Sequence, residues 1–419
     1  MKKSTFRIQS LAFVVGSIFG VVNYSWAATI SANSCSQSDV QAAVNTAVDG
    51  DKVTIPNGTC AWSGGISTTK QIRIEAQNYT PTPGGTMSRS VVITHNAGTT
   101  PLISMTSGNS YHVGVFGIRF NDGSGTGNYL RFSGSGTKVP LIGDCSFEYE
   151  IRNGNNPTNA MIAMLSQGGV FWNTYHNSLR GSNGGIIGGE AIFINNPRAW
   201  ATPSTMGQLD TNGNVNLYVE DSTAMNVDAL FDVDQGSRLV VRNSYFDGTW
   251  FLTHGFTSGS YGGGRHVEIY NNTFKATMAA RNMAGRYFWL RAGTVVITEN
   301  DVARATDTQS YGSGYVDILN IGDNTSPSGS DGPMQPGWGH NGTTDVRDPI
   351  YVWNNTGAMG SRVSFNDQAG CWSCVTNSQE LVVNNGSKPG YTKYTYPHPL
   401  RGSGSSNTLQ APYLTIIPE

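Results

Sequence analysis

The sequence predicts an all-β protein, a single-stranded right-handed parallel β-helix (solenoid) with a short N-terminal capping helix. Three observations lead to this prediction: a short unit repeats along the chain, its apolar positions form columns, and only one segment has a helical pattern. The composition agrees, because 52 of the 419 residues are glycine and only 13% are charged. Such a composition is typical of many short strands and turns.

The repeat places alternating apolar residues before a polar anchor residue and small or polar residues after it. The spacings between successive anchors are 29, 48, 22, 28, 28 and 55 residues. A basic period of 22–29 residues indicates coils of one size, and the two longer spacings indicate insertions or degenerate coils. The anchors are Asp144, Asn173, Asp221, Asn243, Asn271, Glu299 and Asn354.

The apolar columns predict how the coils stack. Because side chains alternate along a β-strand, positions two and four residues before an anchor face the same side. Stacked parallel strands then place these residues in ladders inside a narrow cylinder, while the anchors form a polar ladder and tolerate a left-handed backbone. The column two residues before the anchors contains Ile142, Phe171, Val219, Val241, Ile269, Ile297 and Val352.

The N-terminus has the pattern of a Sec-type secretory signal. Lys2, Lys3 and Arg7 precede an apolar run, and small residues at Ser25 and Ala27 predict cleavage after Ala27. The run is too short to span a bilayer comfortably, so we expect a mature protein without a membrane span, in the extracellular space, at the cell surface or in the periplasm. The predicted organisation is signal peptide 1–27, N-terminal cap 28–50, β-helix 51–385 and C-terminal cap or tail 386–419.

Local signals define the N-terminal cap and the cysteine pairs. Ser38 and Gln41 have the spacing of a capping box for a helix that runs through Ala47 and ends before Gly50. Export permits disulfides. We expect the pairs Cys35–Cys60 and Cys371–Cys374, with Cys145 free in the core.

The charge pattern excludes one class of partner. Removal of the three signal-peptide cations leaves 23 Lys and Arg against 28 Asp and Glu, a net charge of −5 (23 − 28). The chain has no basic run or stripe, so nucleic-acid binding is not expected. A polyanionic ligand would need clustered cations or a bound metal. A monomer and an end-to-end or side-by-side assembly both remain compatible with the sequence.

A pair of acidic residues in the central coils is the first candidate for chemistry. If Phe231 and Val233 point inward, Asp232 and Asp234 point outward, with their carboxylates about 7 Å apart. This separation suits a general acid and a base that activates water in inverting glycoside hydrolysis. A solvated strand face, with or without bound calcium, is the alternative interpretation.

Three further polar residues are expected near this pair. His254 should lie at the same edge of the next coil, about 4.8 Å away, and Arg265 follows three glycines at the end of an insertion. Arg291 lies two residues after Trp289, in the coil that follows the one with His254. Its alignment is open by one residue, which decides whether Arg291 faces outward or inward. The other histidines, expected at the surface or in turns, are His95, His112, His176, His266 and His398.

The cap and tail segments resemble a known superfamily. The stretch from Gly50 to Gly58, after the predicted helix, and the closing stretch from Gly390 to Leu400 resemble secreted bacterial proteins of the pectate-lyase-like (pectin lyase fold) superfamily. That superfamily includes lyases, hydrolases, esterases and non-catalytic adhesins. The resemblance covers nearly the whole mature chain but identifies no specific family.

The resemblance implies two kinds of site. The positions Asp232, Asp234, His254 and Arg265 resemble the sites of polygalacturonase-like hydrolases, although this chain lacks their Asp-Asp pair and Arg-x-Lys motif. Polysaccharide lyases of this fold instead use a basic residue and a metal or an arginine that neutralises a uronate. The candidates for the basic and neutralising roles are Arg242, Arg265 and Arg291, and the candidate calcium ligands are Glu220 and Glu268. Independently of the resemblance, Tyr270, Trp250 and Trp289 are candidates to stack on sugar faces, and packing under a long loop is the alternative for them.

These observations predict a secreted protein that cleaves an acidic polysaccharide by hydrolysis or β-elimination. No cofactor is required by the sequence, and Ca²⁺ is the one candidate. The alternative is a non-catalytic extracellular adhesin or fibre-forming β-helix protein that binds glycans or matrix.

Overall fold

The structure is a computed structural model that describes residues 28–79, 89–150, 160–165, 168–179, 192–195, 213–214, 216–225, 227, 230–234, 237–253, 264–275, 286–303, 317–323, 336–340, 345–357, 363–367 and 380–401. Within these residues the chain forms the predicted right-handed parallel β-helix. Each coil contributes one strand to each of three parallel sheets, called sheets A, B and C. The described part also contains one α-helix, α1 (Gln37–Thr46), and a 3₁₀ helix at Pro399–Arg401.

Sheet A has 12 strands. In spatial order they are β1 (Thr29–Ser31), β2 (Lys52–Ile55), β5 (Arg73–Ala76), β8 (Gly114–Phe116), β11 (Leu141–Gly143), β14 (Gly169–Trp172), β17 (Leu217–Glu220), β20 (Arg238–Arg242), β23 (His266–Tyr270), β26 (Thr294–Thr298), β31 (Ile350–Trp353) and β34 (Leu381–Val383).

Sheets B and C have 10 strands each. Sheet B consists of β3 (Gly58–Trp62), β6 (Val91–His95), β9 (Ile118–Asn121), β12 (Ser146–Glu150), β15 (Tyr175–Leu179), β18 (Thr223–Met225), β21 (Tyr245–Asp247), β24 (Thr273–Lys275), β27 (Asp301–Val302) and β32 (Thr356–Gly357). Sheet C consists of β4 (Ile66–Thr68), β7 (Ile103–Thr106), β10 (Leu130–Ser133), β13 (Ile162–Met164), β16 (Ile192–Asn195), β19 (Phe231–Asp234), β22 (Phe251–Thr253), β25 (Arg286–Leu290), β28 (Asp317–Asp323) and β33 (Val363–Asp367).

The strand register confirms the predicted aliphatic ladder. Val241 pairs with Ile269, and Ile269 pairs with Ile297, on neighbouring parallel strands of sheet A. All three side chains are buried in the main hydrophobic core. The ladder continues to Val219 on one side and to Val352 on the other.

The two long repeat spacings are insertions. β14 pairs directly with β17, and β26 pairs directly with β31, so no additional coil lies between the strands of either pair. The second insertion contains an antiparallel hairpin, β29 (Trp338–His340) and β30 (Asp345–Arg347). Degenerate coils, the other interpretation of the spacings, are therefore not needed.

The seven anchors adopt the left-handed conformation, with φ between 49° and 63°. The buried polar ladder, however, is formed by the next residue along the chain. Asn272, Asn300 and Asn355 lie one position after their anchors, and the side-chain amide of each donates to two backbone carbonyls. The anchors stack as well, because the Asn173 amide donates to Asp144 and the Asn271 amide donates to Asn243 Oδ1 at 2.7 Å. The sequence pattern therefore located the turn and its polar ladder, and it missed the second ladder inside the coil.

The N-terminal end is covered as expected, with one correction to the helix start. Helix α1 buries Val40, Ala43 and Val44 against the core. Its N-cap is Ser36, whose hydroxyl accepts a hydrogen bond from the Asp39 backbone N–H, so Ser38 lies inside the helix and forms no capping box. The predicted Cys35–Cys60 disulfide is present, and Cys145 is free and buried.

The C-terminal tail, residues 388–401, packs on the outer face of sheet A. Tyr394 joins a second hydrophobic cluster there, which includes Tyr218, Val240 and Tyr270. Among the described residues no helix is long and apolar enough to cross a membrane. The predicted signal segment, residues 1–27, and the predicted pair Cys371–Cys374 lie outside the described residues.

Most of the remaining histidines are inside the protein, so the prediction of surface or turn positions was wrong for them. His95, His176, His266 and His398 are each at most 3% exposed. His176 continues an inward stack of aromatic rings in sheet B, with its ring centroid 4.9 Å from that of Phe147. Hydrogen bonds and ring contacts replace water for most of their polar atoms, but His176 Nδ1 is buried without a hydrogen-bond partner among the described residues.

Candidate functional site

The outer face of sheet C carries the predicted acidic strand. In β19, Phe231 and Val233 pack in the core, so the alternation of the strand directs Asp232 to the outside of the coil, as predicted. The strand register aligns Asp232 with Leu252 of β22, and Leu252 with Trp289 of β25. Asp232 and Trp289 therefore belong to one outward column, two strands apart. The Asp232 side chain is buried although it points away from the cylinder interior.

The register also decides the orientation of Arg291, which the sequence left open. Leu290 pairs with Thr253, an inward position, so Trp289 and Arg291 both face outward. The Arg291 guanidinium carbon lies 4.3 Å from the centroid of a Trp289 ring. Its Nε donates to the Thr253 carbonyl at 3.2 Å, and its backbone N–H donates to Oγ1 of the same threonine at 2.9 Å.

A second indole extends this surface. Trp250 precedes β22, and its ring centroid lies 5.9 Å from that of Trp289 at an interplanar angle of 41°. Trp250 is buried and Trp289 is half-buried. We call Asp232, Trp250, Trp289 and Arg291 the sheet C patch. It combines a carboxylate, a guanidinium and two indole rings on the outer side of sheet C, where Trp289 is the most exposed member and Arg291 is 7% exposed.

Arg265 lies at the turn from sheet C to sheet A beside this patch. Its backbone N–H donates to the Ser237 carbonyl at 2.8 Å, and its own carbonyl accepts from the Thr294 N–H at 3.1 Å. A Cβ on the preceding Gly264 would lie 3.0 Å from Val233, so this turn passes close to the end of β19. Partial burial lowers the pKa of the Arg265 guanidinium from its ordinary value.

Two predicted members of the site are not among the described residues and side chains. His254 lies outside the described residues, and so does the side chain of Asp234, whose backbone closes β19. The separation of the two carboxylates and the place of the histidine therefore remain predictions.

Arg242 and Tyr270 lie on a different sheet and contact the protein itself. The Arg242 guanidinium is fully buried between Glu220 and the C-terminal tail, and it donates to the carbonyls of Tyr394 and Thr395 at 2.8 and 2.7 Å. It also donates to the Tyr270 hydroxyl at 2.9 Å. This placement does not fit the predicted contact with substrate, because the tail covers both side chains.

Glu220 and Glu268 do not fit a calcium site. Glu220 forms ion pairs with Arg242 and Arg401, and Glu268 accepts from His266 Nε2 at 2.9 Å and from the Tyr391 hydroxyl at 2.8 Å. A Ca²⁺ site requires six to eight oxygen ligands. Across the described ranges no group of three or more His, Cys, Asp or Glu residues is arranged to hold a metal ion. Both carboxylates instead attach the tail to sheet A.

The sequence analysis missed a cation-lined pocket of about 540 Å³ in the first coils. Lys52, Arg73 and Lys138 contribute to it from three different coils. The coils before Asp144 lack a polar anchor, and Gly117 takes the equivalent left-handed position with φ 71°. Without that anchor these coils could not be aligned from the sequence.

Comparisons with known proteins give similarity at the level of solved structures alone. No family model and no curated protein matches the chain. An alginate lyase from Paenibacillus sp. str. FPU-7 is 11% identical with a TM-score of 0.33, over 81% of this chain and 98% of that one. A mannuronic acid specific polysaccharide family 6 lyase from human gut microbiota is 12% identical with a TM-score of 0.37, over 85% and 90%.

A third structure is the PL6 family alginate lyase AlyGC, 14% identical with a TM-score of 0.31, over 94% of this chain. This chain spans 60% of the length of AlyGC. Similarity at this level assigns neither a family nor an activity.

Proposed function

We propose that this chain is an exported carbohydrate-active protein that cleaves an acidic polysaccharide at the sheet C patch. The observation that carries the proposal is the Arg291–Trp289 pair, aligned through Leu252 with Asp232 on one outward column. A guanidinium recognises a carboxylate with fixed geometry, and an indole face packs against the apolar face of a sugar ring. Export is supported by the Cys35–Cys60 disulfide, because such bonds persist in oxidising compartments.

For hydrolysis, Asp234 protonates the glycosidic oxygen that leaves, while Asp232 removes a proton from the attacking water. His254 orients one of the carboxylates. Arg291 or Arg265 holds an acidic group of the sugar. The products are two chains, one of which carries a new reducing end.

For β-elimination, Arg265 or Arg291 removes the proton α to the uronate carboxylate, and the other arginine neutralises that carboxylate. The electron pair of the broken carbon–hydrogen bond forms a carbon–carbon double bond, the bond between carbon and the glycosidic oxygen breaks, and that oxygen takes a proton from water and leaves as a hydroxyl group. The pKa of Arg265 is lowered by burial, which is the direction that a base requires. The new double bond gives an unsaturated end that absorbs ultraviolet light.

The test is to incubate the mature protein with a panel of uronic-acid and neutral polysaccharides, with calcium and with a chelator. Ultraviolet absorbance detects unsaturated ends, and a reducing-sugar assay detects hydrolysis as well. We expect product from at least one acidic polymer and none from neutral ones. Absence of product with every polymer would favour the non-catalytic adhesin.

Variants then test the location of the site. We expect Arg291→Ala to lower kcat/KM by about two orders of magnitude, and Asp232→Asn, Asp234→Asn and His254→Ala to lower it as well. Arg119→Gln is the matched control, because it removes an arginine that pairs with Glu148 on sheet B. Full activity of the sheet C variants would place the chemistry elsewhere.

A further inference from the structure

The cation-lined pocket lies at the edge of sheet A where the strands begin, in the first coils. Lys52 of β2 and Arg73 of β5 are neighbours in register, and Lys138 precedes β11. Four interstrand steps of sheet A separate β5 from β17, about 19 Å along the axis. Lys138, the pocket cation nearest to the patch, precedes β11, which is two interstrand steps from β17, so the pocket lies in earlier coils than the sheet C patch.

The charges that line the pocket are not balanced. Glu75 lies 3.5 Å from Lys52 and offsets one cation. Within the part of the chain that the structure describes, no carboxylate lies within ion-pair distance of Arg73 or Lys138. Both cations are close enough to His112 to disfavour its protonation. Three cations, Lys52, Arg73 and Lys138, and one carboxylate, Glu75, thus line the cavity, which leaves an excess of positive charge.

Tyr111 provides a flat ring at the rim, where its side chain is 50% exposed. A Cβ on Gly50 would lie 2.9 Å from this ring, so the glycine allows the close approach. The Gln71 side-chain oxygen accepts from the backbone N–H groups of Ser110 and Tyr111 at 2.8 and 3.0 Å, and the Gln71 amide donates to Asp49. The segment that carries the ring is therefore held in place before any ligand arrives, which lowers the entropy cost of binding.

His112 supplies a hydrogen-bond acceptor. Its Nδ1 lies 3.0 Å from the Val139 carbonyl, to which it donates. Burial, together with Lys138 and Arg73, lowers the pKa of His112, so the ring is neutral near pH 7 and Nε2 carries the lone pair. A sugar hydroxyl is a donor of suitable size for this position.

We infer that this pocket is a second carbohydrate site, which binds a carboxylated sugar unit of an acidic polysaccharide. The carboxylate lies between Arg73 and Lys138, the sugar ring packs on Tyr111, and a hydroxyl donates to His112 Nε2. The inference takes its polymer class from the proposed function, but the site binds without cleaving. It would hold the polymer on the protein while another stretch of it occupies the sheet C patch.

The test is calorimetric titration of the full chain with trimannuronate, trigalacturonate, neutral mannotriose and inorganic sulfate. We expect the two uronates to bind and Arg73→Gln or Lys138→Gln to weaken that binding by about tenfold each. Tyr111→Ala should weaken it too, while Lys275→Gln, a cation removed from sheet B, should not. Circular dichroism and thermal unfolding verify that each variant is folded.

The outcomes separate this inference from the proposed function. Binding that is lost in the pocket variants but kept in Arg291→Ala supports the pocket, even if no polymer is cleaved. The pocket substitutions are therefore also made in the Arg291→Ala background, which removes the uronate contact at the sheet C patch. Uronate binding in that background that Arg73→Gln and Lys138→Gln leave unchanged overturns the inference, even if the protein proves to be an enzyme. Equal affinity for mannotriose would overturn the carboxylate contact, and equal affinity for sulfate would overturn the sugar contact.

Discussion

At the scale of single residues, buried charges hold the C-terminal tail on sheet A of the β-helix. Glu220 is completely buried, and its carboxylate pairs with the guanidinium groups of Arg242 and Arg401. It also accepts from the His398 backbone N–H at 3.1 Å. A buried pair of this kind is costly to form, and removal of one partner leaves the other charge without compensation. The network therefore makes the position of the tail specific.

We predict that Glu220→Gln lowers the free energy of unfolding by about 3–5 kcal/mol, because the buried Arg242 loses its counter-charge and Arg401 keeps only Asp221 as an ion-pair partner. Urea unfolding of the purified variant measures this change. Glu299→Gln is the matched control: Glu299 pairs with Lys393 at the surface, and its loss should cost less than about 1 kcal/mol. Equal effects of the two substitutions would contradict the prediction.

His176 makes the stability depend on pH. Burial lowers its pKa to about 3, whereas the unfolded chain takes up the proton near its ordinary value of about 6.5. Between these values the unfolded state binds more protons, so stability is full above about pH 6.5 and decreases as the pH falls towards 3. His266, whose pKa burial also lowers, acts in the same direction.

The variant His176→Phe removes this titration and extends the aromatic stack that runs through Phe120 and Phe147. We expect its stability to fall less than that of the wild type between about pH 7.5 and pH 5, by about 2 kcal/mol. Denaturant unfolding of both proteins at both pH values measures this difference. At pH 7.5 the imidazole is neutral in the folded and the unfolded state, so the difference in stability between the two proteins reports the change in packing. Parallel pH dependences would show that His176 does not titrate in this range.

At the scale of the element, the turn from sheet A to sheet B assigns different tasks to adjacent residues. The anchor adopts the left-handed conformation, and the residue after it satisfies backbone carbonyls inside the coil. The Asn272 amide donates to the carbonyls of Val241 and Tyr270 at 3.0 Å, and its next contact is the Asn300 side-chain oxygen at 3.0 Å. Each ladder residue thus connects two coils.

We predict that Asn300→Ala lowers the free energy of unfolding by about 3 kcal/mol, because buried donors and carbonyls lose their partners. Asn300→Ser should lower the free energy of unfolding by a smaller amount. Ser222 and Ser244 hold the same position in earlier coils, where each hydroxyl donates at 2.9 Å to the carbonyl two residues before it. Chemical unfolding ranks the two variants, and a larger loss for serine than for alanine would refute this account.

At the scale of the whole molecule, the tail gives the solenoid a second hydrophobic layer. One cluster fills the cylinder, and the other lies outside sheet A, where Tyr394 packs edge-on against Tyr218 with ring centroids 5.6 Å apart. The Tyr394 hydroxyl accepts from Arg238 at 3.0 Å. Sheet A is therefore covered on both faces along its central strands.

A chain that ends after Gly386 should expose this outer cluster. We expect a thermal midpoint lower by roughly 5–10 °C and increased binding of a hydrophobic dye, because Tyr218, Val240 and Tyr270 lose their cover. Lys393→Ala is the control, since this lysine pairs with Glu299 at the surface of the tail. An unchanged midpoint and unchanged dye binding in the truncated chain would show that the tail does not contribute to stability.

Much of the fold followed from local rules. The aliphatic column predicted the stacking of Val241, Ile269 and Ile297, because strand alternation and coil period are properties of the chain alone. Strand alternation also placed Asp232 outward, and the cysteine spacing predicted the Cys35–Cys60 disulfide. They failed for the helix cap, where Ser36 and Ser38 are both suitable and the structure uses the first.

The sequence by itself determined the coil, its period, its inward column and the outward face of the central strands. Only the tertiary structure decided which outward residues the C-terminal tail covers. Arg242 and Arg291 look alike in the sequence, yet the tail covers the first, while the second lies against Trp289 on sheet C. The physical reason is sequence separation. The direction of a side chain on a strand depends on its immediate neighbours in the chain, whereas its burial and its ion pairs depend on segments that can be more than 150 residues away, such as Tyr394 beside Arg242.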